Sequence, residues 1–531
     1  MKTLTRYIIY IVFGLCLVFG SGIFLCRPVF ADEAGDESAG GAVVEAVVEP
    51  IMDADEAALF QLINSARRDP LGMAESLGMD CDKILNDFPE FEDILINGMP
   101  ELEFAEHLYQ SSGEHVSDML ANNYYAYNSI GGRTPAQRMN DAGYVAAVSG
   151  ETLGLLFFNN FINSNKAVFQ LFTNMYKDEL DPEWTGQRNI LNPDVKDIGV
   201  SIGGGLYQFM NGFSGNVYMV TCDFGTDVEP YELELLQLIN QARAKTPRAV
   251  AQYYGIDVEA VLNVMPELES LFSAKEGLPP LVFNANLYAA AQEHVLDMFE
   301  NGYYARKSLD GRTPAMRFVE NGYEPVRAGE SRGRLSICDA QKSPEETIAR
   351  IFRQMVLNAF RLQGWRDQNM FSDDAVEIGI RVIAGESEAL SGICGDNIHL
   401  SVVDYGAPRL YAGPAVTGTV YCDLNENSLF DVGEGIPGVV VTIKKVAIEK
   451  SDTAVSVSNV ATNPAGGFST DLSPGRYRIS ISTDFNDDTR IQRVTIDEDD
   501  VNKWVTFKIQ PDDSVSGEII ASDTTEGLTN L

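Results

Sequence analysis

The clearest grouping of chemically competent side chains lies in DLNENSLFDVGE, Asp423 to Glu434. Asp423, Asn425, Asn427, Asp431 and Glu434 place side-chain oxygens at loop positions one, three, five, nine and twelve, and the backbone carbonyl of Leu429 falls at seven. Hard oxygens at this spacing wrap a calcium ion, which takes about six to eight of them. Ser428 stands where such a loop carries the glycine of its sharp turn. The flanking residues read as strands, so the loop is not part of a helical calcium module. A solvated acidic turn is the competing reading.

The remaining candidates are imidazoles and carboxylates. His115 and His294 occupy EHVSDM and EHVLDM, on a helix face shared with Val116 and Met119 or Val295 and Met298. That placement reads as core. His107 reads as surface. Glu151 and Glu330 follow a glycine in SGET and AGES. A carboxylate there either accepts backbone N–H bonds or serves a groove as general base. No paired acid, nucleophile or ligand set accompanies them.

The elements that must position these groups occur twice. GLPPLVFNANLYAAAQEHVLDM, Gly277 to Met298, is a short apolar entry followed by an amphipathic helix that Asn284 or Asn286 can cap. GMPELEFAEHLYQSSGEHVSDM, Gly98 to Met119, repeats it. Equivalent pairs run through the whole unit: Gly132–Ala136 with Gly311–Ala315 (both GRTPA), Gly150-Glu151 with Gly329-Glu330, and Tyr218–Gly225 with His399–Gly406. Two copies of one domain therefore span about 53–228 and 229–408. In each, the order is helix, insertion, helix, a turn with a short helix (Pro135–Ala142, Pro314–Asn321), a loop carrying Gly-Glu, another helix, then strands near Ile198–Ile202 and Val217–Cys222 or Ile378–Ile383 and His399–Val403. Helices grouped around late strands indicate an α+β layered domain. Within GRTPA, threonine can cap and proline can open the next helix, a structural role.

Past Pro408 the helical period ends. Alternating stretches such as VTGTVYCD, GVVVTIKKVAI and KWVTFKIQ, separated by turn residues, predict an antiparallel β-sandwich over 409–510. Residues 511–531 read as a disordered acidic tail and 32–52 as a flexible linker. Residues 1–31 read as a signal peptide, with Lys2 and Arg6, an apolar run, and Val29-Phe30-Ala31 before the cut. Contact with a membrane is then expected only through that segment if it stays uncleaved. The chain has 531 residues and a formal charge of −38, which disfavours nucleic acid and anionic lipid. Cys81 with Cys222 and Cys338 with Cys394 could each close within one repeat, leaving Cys422 over.

YYARKSLDGRTPAMRFVENGY and AGES in the second copy, with YYAYNSIGGRTPAQRMNDAGY, SGET and NILNPDVKDIGVSI in the first, resemble the CAP superfamily of cysteine-rich secretory, antigen 5 and pathogenesis-related proteins. The resemblance implies an α-β-α sandwich, export, and a groove that often carries a His/Glu tetrad able to bind a divalent metal. Carried over by position, the tetrad falls on Tyr127, Glu151, Gln187 (or Gly186) and Tyr218 in copy one. In copy two it falls on Arg306, Glu330, Trp365 (or Arg366) and His399. Zinc normally takes at least three protein ligands. These sets do not supply them, and we expect no zinc; Arg306 is instead expected to pair with Glu330. Residues 414–510 resemble the calcium-binding B-type repeats of bacterial surface adhesins, in which the ion stiffens a stalk.

The expectation is an exported, non-catalytic bacterial protein that binds a lipid, glycan or protein outside the cell through two degenerate grooves, presented on a calcium-stabilised β-sandwich. A secreted hydrolase acting on peptide or cell-wall material, and a purely structural adhesin, are the alternatives.

Overall fold

The computed structural model describes residues 52–509 apart from 160–161, 210–211, 337–343, 361–367, 393–394, 396, 411–412, 447–454, 482–489 and 498–499, and adds two short paired strands, Phe24–Leu25 and Ser514–Val515. The expected signal peptide, the linker up to residue 51, the rest of the acidic tail, Trp365, Cys338 and Cys394 lie outside the described residues.

The first repeat opens with α1 (Ala54–Arg68), started by a capping box between Asp53 and Glu56. It continues through β1 (Glu103–Phe104), α2 (Glu106–Asn122), α3 (Pro135–Asp141), β2 (Ala146–Phe158), α4 (Ser164–Glu179), β3 (Asp197–Gln208) and β4 (Ser214–Asp227). The sheet order is β1-β3-β4-β2, parallel only between β1 and β3. Strand alternation gives it two faces. Ile198, Val200, Val220, Cys222 and Phe224 pack under α1 and α4 against Leu59, Ile63, Leu171 and Phe172. On the opposite face Val217 and Met219 meet Val116 and Met119 of α2. Helices thus cover both faces, giving the expected three layers. Gly199 lets α2 approach closely: a Cβ there would lie 2.1 Å from the backbone of Leu108 and Tyr109.

The second repeat follows the same plan with α5 (Pro230–Arg243), β5 (Val282–Phe283), α6 (Ala285–Glu300), α7 (Pro314–Glu320), β6 (Pro325–Ser336), α8 (Pro344–Ala359), β7 (Glu377–Glu386) and β8 (Asn397–Pro408). Its sheet order is β5-β7-β8-β6. Asn284 is the residue that caps α6, accepting from the N–H groups of Asn286 and Leu287. Thr134 caps α3 through a capping box with Gln137, whereas Thr313 makes no such bond before α7.

Gly-Glu does not sit in a loop. It lies inside β2 and β6, long strands that sequence periodicity did not reveal. SGETLGLLFF lacks polar alternation because both faces are covered: Gly154 abuts Leu171 and Met175 of α4, while Leu153 and Leu155 join the α2 side.

A buried arginine pins each repeat. Arg67, at the end of α1, donates to the carbonyls of Pro100 (2.8 Å), Ile190 (2.9 Å), Asn192 (2.8 Å) and Val195 (3.4 Å). Arg243 does the same for Pro279 (2.8 Å), Met370 (2.8 Å), Ser372 (2.9 Å) and Ala375 (3.3 Å). Burial lowers both guanidinium pKa values to about 10.

The third domain contains β9 (Ala415–Cys422), β10 (Val440–Lys445), β11 (Val455–Ala461), β12 (Gly467–Asp471), β13 (Gly475–Ile481), β14 (Arg490–Ile496) and β15 (Lys503–Ile509). Two sheets, β12-β9-β15 and β11-β10-β13-β14, enclose one apolar core. The expected all-antiparallel pairing fails at one place: β9 and β15 run parallel, joining the domain's first and last described strands.

This domain is not held at a distance from the repeats. Tyr421 and Phe430 belong to the same apolar cluster as Leu235 and Leu238 of α5. Gln241 brackets Phe430, accepting from its N–H (2.6 Å) and donating to its carbonyl (2.8 Å). Thr419 donates to Gln237 (2.7 Å). The first repeat joins in through Gln137 to Asp471 and Asn140 to the Ser469 carbonyl, both 2.7 Å. Val145, Val228, Leu233, Tyr288 and Ala465 form one small cluster drawn from all three domains.

Cys81 and Cys222 are free thiols, so they do not pair as expected. Cys222 is buried in the α1–α4 core and Cys81 packs at the edge of the same core. Cys422, expected to be left over, is disulfide-bonded.

Candidate functional site

Four side chains from four elements converge beneath the first groove. His115 comes from α2, Arg138 from α3, Glu151 from β2 and Asp223 from β4. Glu151 and Asp223 are direct cross-strand partners, so strand pairing itself forces the two carboxyl groups together. His115 Nδ1 lies 3.0 Å from Glu151 Oε2 and 2.9 Å from an Arg138 terminal nitrogen. The same guanidinium donates to Glu151 Oε2 and, at 2.9 Å, to the Tyr127 carbonyl.

The second repeat rebuilds this arrangement. His294 Nδ1 is 2.8 Å from Glu330 Oε2, Arg317 pairs with that oxygen, and Asp404 faces Glu330 across the ladder. The side chains of His115, Glu151, His294 and Glu330 are fully inaccessible to solvent.

Burial decides the charge states. Asp223 is pushed well above the ordinary carboxylate range by burial and then by the charge of Glu151. Asp404 is raised by the same causes, with Glu330 as its neighbour. Burial also raises Glu151, opposed by the Arg138 charge and hydrogen bond. Each cluster therefore sets an aspartic acid, pushed towards its neutral form, beside a glutamate held by arginine: Arg138 in the first repeat, Arg317 and Arg332 in the second. His115 is pulled down to about 4 by burial and by Arg138.

A ring whose folded pKa lies below its unfolded value of 6.5 binds its proton more readily when unfolded. Its contribution to stability is therefore lost as pH falls from 6.5 towards about 4. Asp223, raised on folding, acts with the opposite slope, its cost growing as pH climbs above 3.8. His115→Gln is expected to flatten the decline in urea midpoint between those two histidine values. An unchanged slope would show that the ring does not carry it.

The residues carried over by position separate. Tyr127 (44% exposed) and Arg306 flank the clusters, and their carbonyls accept from Arg138 and Arg317. Glu330 does not pair with Arg306 as expected; Arg317 takes that place because α7 points its guanidinium at the strand. Gln187 is exposed, and its contact is a carbonyl accepting from Trp184. Tyr218 stacks on Phe158 at 5.2 Å, on the sheet face turned towards α4. Glu151 faces α2, so Tyr218 cannot share its site. His399 is likewise out of phase with Asp404 and lies on the far face from Glu330. Burial lowers the His399 pKa.

Sequence reasoning missed Arg138, Arg317, Asp223 and Asp404. It also missed Asn189 and Asn369, whose amides reach Thr152 Oγ1 and the Glu330 carbonyl (3.0 Å each) and hold the Gly-Glu strand in place. All six are identical between the two copies, and that internal comparison was the available signal. The residues present do not fit zinc. In each repeat the arginine binds Oε2 of the glutamate, the same oxygen that faces the imidazole, and puts a fixed positive charge where a cation would sit; among the described residues no group of three His, Cys, Asp or Glu side chains is placed to hold a metal ion.

In the Asp423–Glu434 loop, Ser428 adopts φ 62°, the left-handed geometry that a glycine would supply. Its N–H donates to Asp423 Oδ2 (3.0 Å), and the buried Asp423 Oδ1 has no hydrogen-bond partner. Hard oxygens, a left-handed sixth residue and an orphaned buried carboxylate oxygen suit calcium. Lys508 competes for the same place, its ammonium lying 2.9 Å from Asp423 Oδ2. Asn425 and Asn427 close onto Asp431 Oδ2 (2.8 and 2.6 Å), and Glu434 accepts from the N–H groups of Leu424 and Asp431. Burial raises Glu434 to about 7. Gly433 also donates to Glu234 of α5, so the loop is fastened to the second repeat.

Among the described residues no helix is long and apolar enough to cross a membrane. The sequence profile of the cysteine-rich secretory protein family matches residues 60–224 and again 236–386. Among solved structures, an outer surface protein from Borrelia burgdorferi is similar at 19% identity, over 33% of this chain and 93% of that one, with a TM-score of 0.18. An extracellular protein containing an SCP domain from Bacillus anthracis str. Ames is similar at 12% identity, over 38% of this chain and 56% of that one, also with a TM-score of 0.18. No curated protein matches. The profile accounts for more than half of the chain and falls within the two units that carry the paired sheets and the paired clusters, its second match ending before the strand of Asp404. The chain therefore belongs to the cysteine-rich secretory protein (CAP) family and carries its domain twice.

Proposed function

We propose that this is an exported binding protein without catalytic activity, which recognises an extracellular lipid, glycan or protein at the mouths of its two CAP grooves. The third domain, on this reading, is a B-type-like sandwich stiffened by calcium at Asp423–Glu434. One observation carries the proposal: the glutamate that would act as base or metal ligand in each repeat is fully buried and held by an arginine and a histidine. A group so enclosed cannot reach a substrate, whereas exposed side chains surround it. Tyr125 and Tyr127 are 40% and 44% exposed over the first cluster. Recognition is thus assigned to the rims, and Glu151 and Glu330 to the scaffold.

The test is a lipid and glycan binding screen on the full chain, alongside Tyr127→Ala, with melting followed in calcium and in chelator. Tyr127→Ala is expected to weaken binding at the first groove by about tenfold, the effect of losing one aromatic anchor. Calcium is expected to raise the melting temperature, against the competing Lys508 ammonium. Hydrolysis of peptide or cell-wall material that Glu151→Gln abolishes, with melting unchanged, would overturn the non-catalytic reading.

A further inference from the structure

The two groove rims are built on one plan and filled with opposite chemistry. Strand pairing aligns Glu151 with Asp223 and Glu330 with Asp404, so Leu153 corresponds to Arg332 and Leu155 to Arg334. The shared sequence YYA aligns Tyr125 with Tyr304 and Tyr127 with Arg306. The first rim is thus two leucines and two tyrosines. In the second, three of the four positions are arginine.

Arg332 and Arg334 project from the same face of β6, two residues apart. Both guanidiniums lie over Tyr304, at 5.0 and 5.4 Å from its ring centroid. Arg332 is 13% exposed and its Nε is 3.3 Å from Glu330 Oε1. That carboxylate is already matched by Arg317. Arg334 is exposed and has no acidic partner among the described residues. The Arg306 charge is felt at Asp404 beneath the rim. Stacking two guanidiniums on one ring costs energy through their repulsion, and Arg334 adds its charge there in a chain of net charge −38 with abundant carboxylates. Guanidinium forks stacked on an aromatic face match the geometry of a planar or tetrahedral oxyanion.

We infer that the second repeat's rim, Arg332 and Arg334 stacked over Tyr304, is a binding site for an oxyanion, a phosphate or carboxylate group of the ligand, while the first repeat's rim takes an apolar one. This rests on the reading of the rims as recognition surfaces and specifies the ligand chemistry of one of them. The acidic remainder of the chain repels anions at long range, so the site selects a ligand by local contact rather than by steering, and added salt weakens it.

The experiment is calorimetric titration of the full chain with inorganic phosphate and with citrate, and sedimentation with phosphatidylglycerol vesicles, which separates a free anion from a lipid headgroup. Wild type is compared with Arg332→Leu/Arg334→Leu, which installs the leucines of the first repeat, and with the milder Arg334→Gln. Binding of at least one probe is expected, weakened about tenfold or more per arginine removed, with unliganded melting unchanged in Arg334→Gln. Equal binding by wild type and both variants, or no binding of any probe by wild type, overturns the oxyanion site. An uncharged glycan or lipid held equally by wild type and the double variant would leave the broader recognition reading standing. Failure of both rims in the screen would end that reading as well.

Discussion

Arg138→Met is expected to destabilise the protein by about 3–5 kcal/mol, the cost of leaving a buried carboxylate without its counter-charge. Glu151 has no solvent to turn to, and its neighbour Asp223 is itself a buried acid. Removing the guanidinium also frees the Tyr127 carbonyl and one neighbour of His115. Arg138→Met/Glu151→Leu removes both charges and is expected to recover much of the loss, because a buried ion pair replaced by apolar groups is often close to neutral. Urea unfolding of the two variants measures this directly. A double variant as unstable as the single one would show that the pair is not what the arginine serves. Arg317→Met in the second repeat should behave alike, with Arg332 near Glu330 softening the effect.

Arg243→Met should have an effect of at least comparable size by a different route. Among the described residues Arg243 has no carboxylate in contact; it satisfies four carbonyls from two separate loops. Methionine fills a similar volume and offers no donor. Each buried carbonyl left without a partner costs about 1–3 kcal/mol, so a total near 4 kcal/mol or more is expected after relaxation. Because those loops lead into β5 and β7, the loss should appear as faster hydrogen exchange at Val282 and Ile378 as well as a lower urea midpoint. A drop in midpoint with no change in exchange at those strands would argue against the pinning role.

The tandem arrangement was legible because it was written twice. EHVSDM against EHVLDM and GRTPA against GRTPA fixed the register between copies, and the helices that carry the first pair and follow the second are where periodicity placed them. The strands carrying Gly-Glu were not legible. A strand covered on both faces loses the alternation that marks it, and Gly154 and the leucines around it gave no period. The buried clusters escaped for a related reason. Arg138 and Arg317 were read with the short helix that follows the cap, and Asp223 and Asp404 fell one residue beyond the strands expected at Val217–Cys222 and His399–Val403, since nothing in one dimension shows that α3 and β4 converge on one glutamate. Tyr218 and His399 failed by parity alone. Each stands five residues before the aspartate that faces the glutamate, and an odd step along a strand ends on the opposite side of the sheet. The calcium spacing was visible, but its rival Lys508 is far off in sequence, brought in by the parallel pairing of β9 with β15.

The Gln241 bracket around Phe430 bears on how this chain can be divided. A fragment cut near residue 408 would strand Gln237 and Gln241 in water and uncover the leucines that Tyr421 and Phe430 roof. Its melting would then register the injury of the cut rather than the innate firmness of the paired units. Cooperative unfolding is instead expected to run across all three, so that an ion seated in the last one tightens the first two without touching either.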